Sequence, residues 1–218
     1  MVKAIVGACW GDEGKGKITD MLAENADIVI RFQGGSNAGH TIINDYGKFA
    51  LHQMPSGVFN KNTVNIIGTG VAFNVPYFIK ELEYIKSSGI KDPKILISDR
   101  VELMMPYHIM FDTLEEARLS DKSFGSTKSG IAPFYSDKYA KTGIQICDLF
   151  HEDVLMERIK AACEIKNVLL EHLYHKPLLD PQAVFDEVIK YKEVIAPYVV
   201  NTVEYLHQAI KEGKEILL

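Results

Sequence analysis

The chain is poor in cysteine, in basic excess and in long apolar runs, and each shortage excludes something. Cys9, Cys147 and Cys163 are the only cysteines in 218 residues and stand far apart. A disulfide framework needs pairs and a structural metal site needs closely spaced ligands, so neither is expected. The three read as buried or free thiols of a reducing compartment. No apolar run approaches the roughly 18 residues of a membrane-spanning helix. The N-terminus lacks a cationic stretch followed by an apolar one, so no secretory signal is read there. Lys and Arg number 24 against 29 Asp and Glu, for a formal net charge of −5. That balance speaks against nucleic acid, which usually needs a basic face. A soluble, cytoplasmic protein with no membrane and no nucleic-acid partner is the expectation.

What is present is an apolar content of 47%, enough for a sizeable core. "VKAIVGACW" (2–10) reads as a buried strand, and "GKITDMLAENA" (16–26) as a helix with Ile18, Met21 and Leu22 at helical spacing. "DIVIRF" (27–32), "VNIIGTGVAF" (64–73) and "KILISD" (94–99) read as further strands, and "TIINDYGKFALHQM" (41–54) alternates as a hairpin around Asn44–Gly47. Asn74 caps a helix over 75–89 with Pro76 in its first turn, and 106–121 is a further helix. Residues 120–143 read as one long loop, either a site or a solvated linker. Two long helical patterns follow at 151–175 and 180–212, the second interrupted by Pro197. "EILL" (215–218) begins another strand.

Strands alternating with helices predict an α/β fold: a mostly parallel sheet with flanking helices, similar to phosphate-loop NTPases. Residues 1–218 are expected to form a single segment. It comprises a nucleotide-binding core over 1–150, a helical part over 151–212 and the start of a strand over 214–218. Such sheets bind ligands in loops beyond the C-terminal strand ends. The sequence stops where one of those loops is due, so it is expected to be the front part of a longer chain.

Chemistry concentrates in two glycine-rich loops that follow strands. Gly11, Asp12, Glu13, Gly14, Lys15, Gly16 and Lys17 fit the phosphate-loop spacing G-x-x-x-x-G-K. The glycines let backbone N–H groups point inward, and the helix start and lysines add positive charge. Ile18 stands where a magnesium-binding hydroxyl is usual. Asp12 can supply the missing oxygen ligand to Mg²⁺, act as a general base, or simply cap the helix. In "QGGSNAGHT" (33–41), Asn37, His40 and Thr41 offer donors and acceptors, and His40 is either catalytic or structural. His172 and His175 share a helix face without nearby acids and are read as structural or solvated rather than metal-binding.

Taken together, "WGDEGKGK" (10–17), "QGGSNAGHT" (33–41), "LHQMPSG" (51–57), "GIAPFYSDKYAK" (130–141) and "CDLF" (147–150) resemble the adenylosuccinate synthetase family in order and spacing. The resemblance covers the whole chain, and members of that family are longer. It implies a GTP-dependent carbon–nitrogen ligase of AMP synthesis that joins IMP to L-aspartate with Mg²⁺ and works as a homodimer. Asp12 and His40 would be catalytic, as base and acid. Gly11 to Lys17 and Gly39, His40 and Thr41 would bind GTP. Asp12, Glu13, Gly14, Lys15, Asn37, Ala38, Gly39, His40 and Thr127 would bind IMP. Asp12 and the Gly39 carbonyl would hold the metal.

The chain departs from the family pattern at Cys9, Lys128, Ser129, Ala132 and Lys141. Lys141 stands where an arginine that reaches the partner subunit's IMP is typical, and lysine lacks the bidentate fork. Two other readings are a nucleotide-binding paralogue without catalysis and a different phosphate-loop NTPase.

Overall fold

A computed structural model describes residues 1–9, 13–44 and 46–218. Gly11 and Asp12, on which part of the expected site rests, lie outside the described residues together with Trp10 and Asp45. The chain divides into two compact units, Met1–Val101 with Tyr198–Leu218, and Glu102–Pro197. The subdivision expected at residues 150 and 212 falls elsewhere in the chain.

Along the chain the first unit contains β1 (Val2–Lys3), α1 (Lys15–Ala23), β2 (Ile28–Gly34), β3 (His40–Asn44), β4 (Gly47–Leu51), β5 (Val64–Phe73), α2 (Val75–Ser87) and β6 (Ile95–Ser98). The second holds a short strand, β7 (Glu102–Leu103), and five helices: α3 (Pro106–Leu119), α4 (Ile131–Ala140), α5 (Glu152–Leu169), α6 (Pro181–Val188) and α7 (Tyr191–Ile195). The chain then returns to the first unit as β8 (Val199–Val200), α8 (Thr202–Lys211) and β9 (Ile216–Leu217).

In the first unit the strands pair in parallel in the order β1-β9-β2-β5-β6-β8. The expected mostly parallel sheet with flanking helices is therefore present. Its centre is β2 against β5, with Ile28 opposite Val64 and Ile30 opposite Ile66. Ile28, Ile30, Ile66 and Ile216 pack with Ala209 of α8. Burying each such side chain stabilises by about 1.5–3 kcal/mol, so the isoleucine-rich centre holds the unit. The helix α2 starts at Asn74, whose side chain accepts a hydrogen bond from the Tyr77 N–H at 3.0 Å, as its sequence predicts.

The first strand is shorter than its apolar run. β1 stops at Lys3, Val2 is exposed and Val6 is 77% exposed. It lies at the sheet edge beside the two-residue β9, where Ile5 is half-buried against Ala23, Val29 and Leu217 while Val6 faces solvent. The α1 helix forms as expected, but Ile18, Met21 and Leu22 are exposed and Gly16 and Ala23 are its buried residues.

The second unit corrects another expectation. Residues 120–143 are not one loop, because Ile131–Ala140 is helical. Gly130 opens α4 with φ 79° and Lys141 closes it with φ 63°. Pro197 does divide the 180–212 pattern, with α6 and α7 before it and α8 after it. A polar cluster lies within this unit. The Asp137 carboxylate accepts hydrogen bonds from Lys166 Nζ at 2.8 and 3.0 Å and from His108 Nε2 at 2.9 Å. The Lys166 ammonium also lies 4.8 Å from the centre of the Tyr107 ring. Burial pushes His108 below the usual histidine range, only partly offset by Asp137. Burial would raise Asp137, but its bonds to His108 and Lys166 outweigh that and hold it low. No helix among the described residues is long and apolar enough to cross a membrane.

Candidate functional site

The first unit contains a cavity of about 520 Å³ that runs along residues 29–34 of β2 and onto the loop at its C-terminal end. That volume lies in the range of about 300–1,000 Å³ typical of small-molecule sites, and the strand end is where a parallel sheet places them. Of the residues singled out in the sequence, Glu13, Lys15, Gly16, Asn37, Ala38 and His40 all line it. Gly14, Lys17, Gly39 and Thr41 neighbour these residues in sequence but are not part of the lining. Thr127 belongs to the second unit.

The loop before α1 already behaves as an anion holder. The Glu13 carboxylate accepts the Cys9 N–H at 2.5 Å and the Lys15 ammonium at 2.9 Å. The Lys15 hydrogen bond, followed by the Cys9 amide, lowers the Glu13 pKa. Groups that hold a carboxylate in this way suit a phosphate oxygen equally well. Lys15, Gly16 and Lys17 form the first turn of α1, a helix end whose dipole favours anions, with the Lys17 N–H donating to the Gly14 carbonyl at 3.1 Å. Thr19, the hydroxyl nearest to Ile18 in sequence, bonds the Lys15 carbonyl at 2.9 Å and also lines the cavity.

The second glycine loop is fixed by the β3–β4 hairpin. His40 pairs with Leu51, so the next residues outward on the two strands are Gly39 and His52. A Cβ on Gly39 would lie 3.0 Å from His52 Nε2, and one on Gly16 would lie 2.8 Å from the His40 Cβ. A methyl group at Gly16 therefore fits only if His40 shifts, and one at Gly39 only if the His52 ring gives by a few tenths of an ångström. The half-buried His40 rests in this way on the first turn of α1, which brings the two loops into one site.

Sequence reasoning missed Arg31. Its guanidinium donates to the Gly35 carbonyl at 3.0 Å, lines the cavity and braces the loop after β2. The signal was a basic residue interrupting the apolar part of "DIVIRF". Pro55 and Ser56, from the motif "LHQMPSG", line the same cavity.

No group of three His, Cys, Asp or Glu side chains able to hold a metal occurs among the described residues. Asp12, the expected leading ligand, is not among them. Beside the cationic Lys15 and Arg31, the cavity lining includes the oxygen-bearing side chains of Glu13, Thr19 and Asn37, the ligand type a hard cation such as Mg²⁺ takes.

In the second unit, Thr127 Oγ1 lies 2.8 Å from Ser129 Oγ in the exposed turn before α4. The Asp112 carboxylate holds this turn, accepting the Ser126 hydroxyl at 2.6 Å and the Gly130 N–H at 2.8 Å. One helical turn later, Glu116 accepts the N–H groups of Phe124 at 3.0 Å and Gly125 at 3.2 Å.

The family described as adenylosuccinate synthetase matches residues 4–218. The adenylosuccinate synthetase of Caldicellulosiruptor saccharolyticus is 45% identical over 218 residues, covering 100% of this chain and 51% of that protein. The Clostridioides difficile enzyme is 46% identical over 215 residues, covering 98% of this chain and 50% of its own length. The structure of fully ligated adenylosuccinate synthetase from Plasmodium falciparum superposes with a TM-score of 0.82 at 32% identity, over 99% of this chain and 50% of that one. The chain thus spans about half the length of the relatives it matches. It belongs to the adenylosuccinate synthetase family.

Proposed function

We propose that this chain contributes the phosphate and purine-nucleotide site of a GTP-dependent ligase that joins IMP to L-aspartate. The observation that carries this reading is the single cavity that gathers Glu13, Lys15, Gly16, Asn37, Ala38 and His40 from two loops far apart in sequence. Asp12 takes the proton from purine N1, which turns the 6-oxygen into a nucleophile. That oxygen attacks the γ-phosphorus of GTP, the bond to the β-phosphate bridging oxygen breaks, and GDP leaves. His40, resting on Gly16, donates a hydrogen bond to the transferring group, while Lys15 and the first turn of α1 neutralise its charge. The L-aspartate amine then attacks purine C6 and expels phosphate.

Gly11 to Lys17 with Gly39 to Thr41 line the GTP phosphates, and Asn37 to His40 face IMP. Thr127 takes the IMP phosphate. Asp12 and the Gly39 carbonyl would hold Mg²⁺, which supplies charge neutralisation on the phosphates when bound. Work as a homodimer in the cytoplasm completes the reading, with Lys141 reaching the partner's IMP.

Trp10 is the sole tryptophan and directly precedes Gly11, so its emission serves as the probe. Titration with GTP and Mg²⁺ should saturate that signal, IMP should bind in a separate titration, and Asp12→Asn should weaken the metal-dependent part. An unsubstituted protein that binds neither nucleotide would sink the reading.

A further inference from the structure

Glu81 is a buried carboxylate on α2 whose bonding reaches toward the site. It is 6% exposed. Its oxygens accept the backbone N–H groups of three consecutive residues: His52, Gln53 at 2.8 Å and Met54 at 2.9 Å. His52 Nδ1 lies a further 3.3 Å from Glu81 Oε1. An ionised carboxylate removed from water is costly unless it is fully hydrogen-bonded, and here the partners are backbone amides of a single segment. A second clamp lies beside it. The fully buried Gln53 side chain donates to the Asn74 carbonyl and accepts from the Asn74 N–H, both at 3.1 Å. The start and middle of α2 thus grip residues 52–54 at both polar ends.

The gripped segment ends at the site. Opposite His52, one step beyond the His40–Leu51 pair, is Gly39. The His52 ring fills the space a Gly39 side chain would need, and it also meets the ring of Tyr77 of α2, 5.3 Å between ring centres. His40 follows Gly39 and fills the space a Gly16 side chain would need. A continuous line of contact therefore runs from Glu81 through His52, Gly39 and His40 to Gly16.

We propose that Glu81 and His52 are positioning residues. They touch no reacting atom, and they set the distance between the Gly39–His40 corner and the first turn of α1. The α2 helix buries Phe78, Leu82 and Ile85, and Phe78 meets Phe73 of β5 with 5.4 Å between ring centres, so it gives the loop a rigid reference. Without it, two glycine-rich loops would have to find their spacing by themselves. The geometric part of this inference stands without the proposed ligase activity, whereas its effect on GTP binding rests on that reading.

The test has two arms on the protein of residues 1–218. In ligand-free ¹⁵N-labelled protein, Glu81→Gln and His52→Ala should both shift the amide resonances of Gly39, His40 and Gly16, leaving those of Ile95–Ser98 in β6 in place. Glu81→Gln presents an amide N–H₂ to backbone donors and also costs stability. His52→Ala keeps the Glu81 clamp intact, so it remains folded and informative if Glu81→Gln does not. Unmoved Gly39 and His40 resonances in His52→Ala would overturn the proposal.

In the second arm, Trp10 emission reports affinity for GTP with Mg²⁺. His52→Ala should weaken it by roughly 10- to 100-fold, the usual effect of removing a residue that orients a ligand-binding group. Gly39→Ala should weaken binding in the unsubstituted protein and cost less in the His52→Ala background, where the methyl group has room. Effects that multiply independently would also overturn the proposal. If the resonances move as expected and the unsubstituted protein does not bind GTP, the positioning role stands and the ligase reading falls.

Discussion

A Cβ built on Gly16 would lie 2.8 Å from the Cβ of His40. The first turn of α1 and the first residue of β3 therefore touch with no room for a methyl group. Overpacking of this kind costs about 1–3 kcal/mol, while Gly-to-Ala in a helix returns at most about 1 kcal/mol. Gly16→Ala should thus be neutral to mildly destabilising in urea. Its larger effect should be on nucleotide affinity, because relief of the clash moves His40. A variant with unchanged affinity would show that this contact does not set the site.

Asp112 is the anchor of the Thr127 turn. Asp112→Ala leaves the Gly130 N–H and the Ser126 hydroxyl without their acceptor. An unsatisfied buried donor costs about 1–3 kcal/mol, so the urea midpoint should fall accordingly. IMP affinity measured by calorimetry should fall as well, since Thr127 loses its frame. Thr127→Ala should lower IMP affinity while leaving the midpoint in place. The two variants together separate the frame from the contact.

Acid should weaken the second unit through His108 and Asp137. The folded pKa of His108 is depressed by burial, so below about 6.5 the unfolded chain binds more protons than the folded one. Stability is lost as pH falls from that point toward the depressed folded value. Asp137 is also held low and adds a loss of the same sign in more acidic solution, below the ordinary aspartate range. The urea midpoint should fall between pH 7 and pH 5 in the unsubstituted protein and change less in His108→Gln. A flat profile in the unsubstituted protein would remove this explanation.

Lys141 sits in left-handed backbone, φ 63°, at the end of α4. That conformation costs a non-glycine residue about 1–2 kcal/mol. Lys141→Gly should therefore raise the melting temperature. If the ammonium reaches IMP in the dimer, the same change should weaken IMP binding. Opposite movement of the two quantities is the expected result, and tighter IMP binding would contradict it.

The sequence exposed the centre of the fold better than its edges. Val64–Phe73 and Ile28–Gly34 were legible because short apolar runs bounded by polar residues form buried parallel strands. The run "VKAIVGACW" looked the same locally, but at the sheet edge Ile5 packs on the core while Val2 and Val6 stay exposed. The α4 helix was hidden because Phe134 is its only buried residue, so no apolar stripe marks it. Both glycine loops and most of their cavity-lining residues could be read from glycine spacing and charge. Glu81 could not, because its three backbone partners lie 27 to 29 positions away and no local pattern links them.

β9 lies inside the sheet, between β1 and β2, although it follows every other described strand in sequence. Its Ile216 N–H reaches the Met1 carbonyl, and the Leu218 carbonyl accepts the Ile5 N–H, each at 2.8 Å. A ribosome makes the neighbours of this strand more than 180 residues before the strand itself, counting from Gly34 at the end of β2 to Ile216. Until then β1 has no described strand to pair with, and β2 presents an open edge to the cell. The first unit therefore closes only after the second has been synthesised, and chaperones meet it as an unfinished sheet.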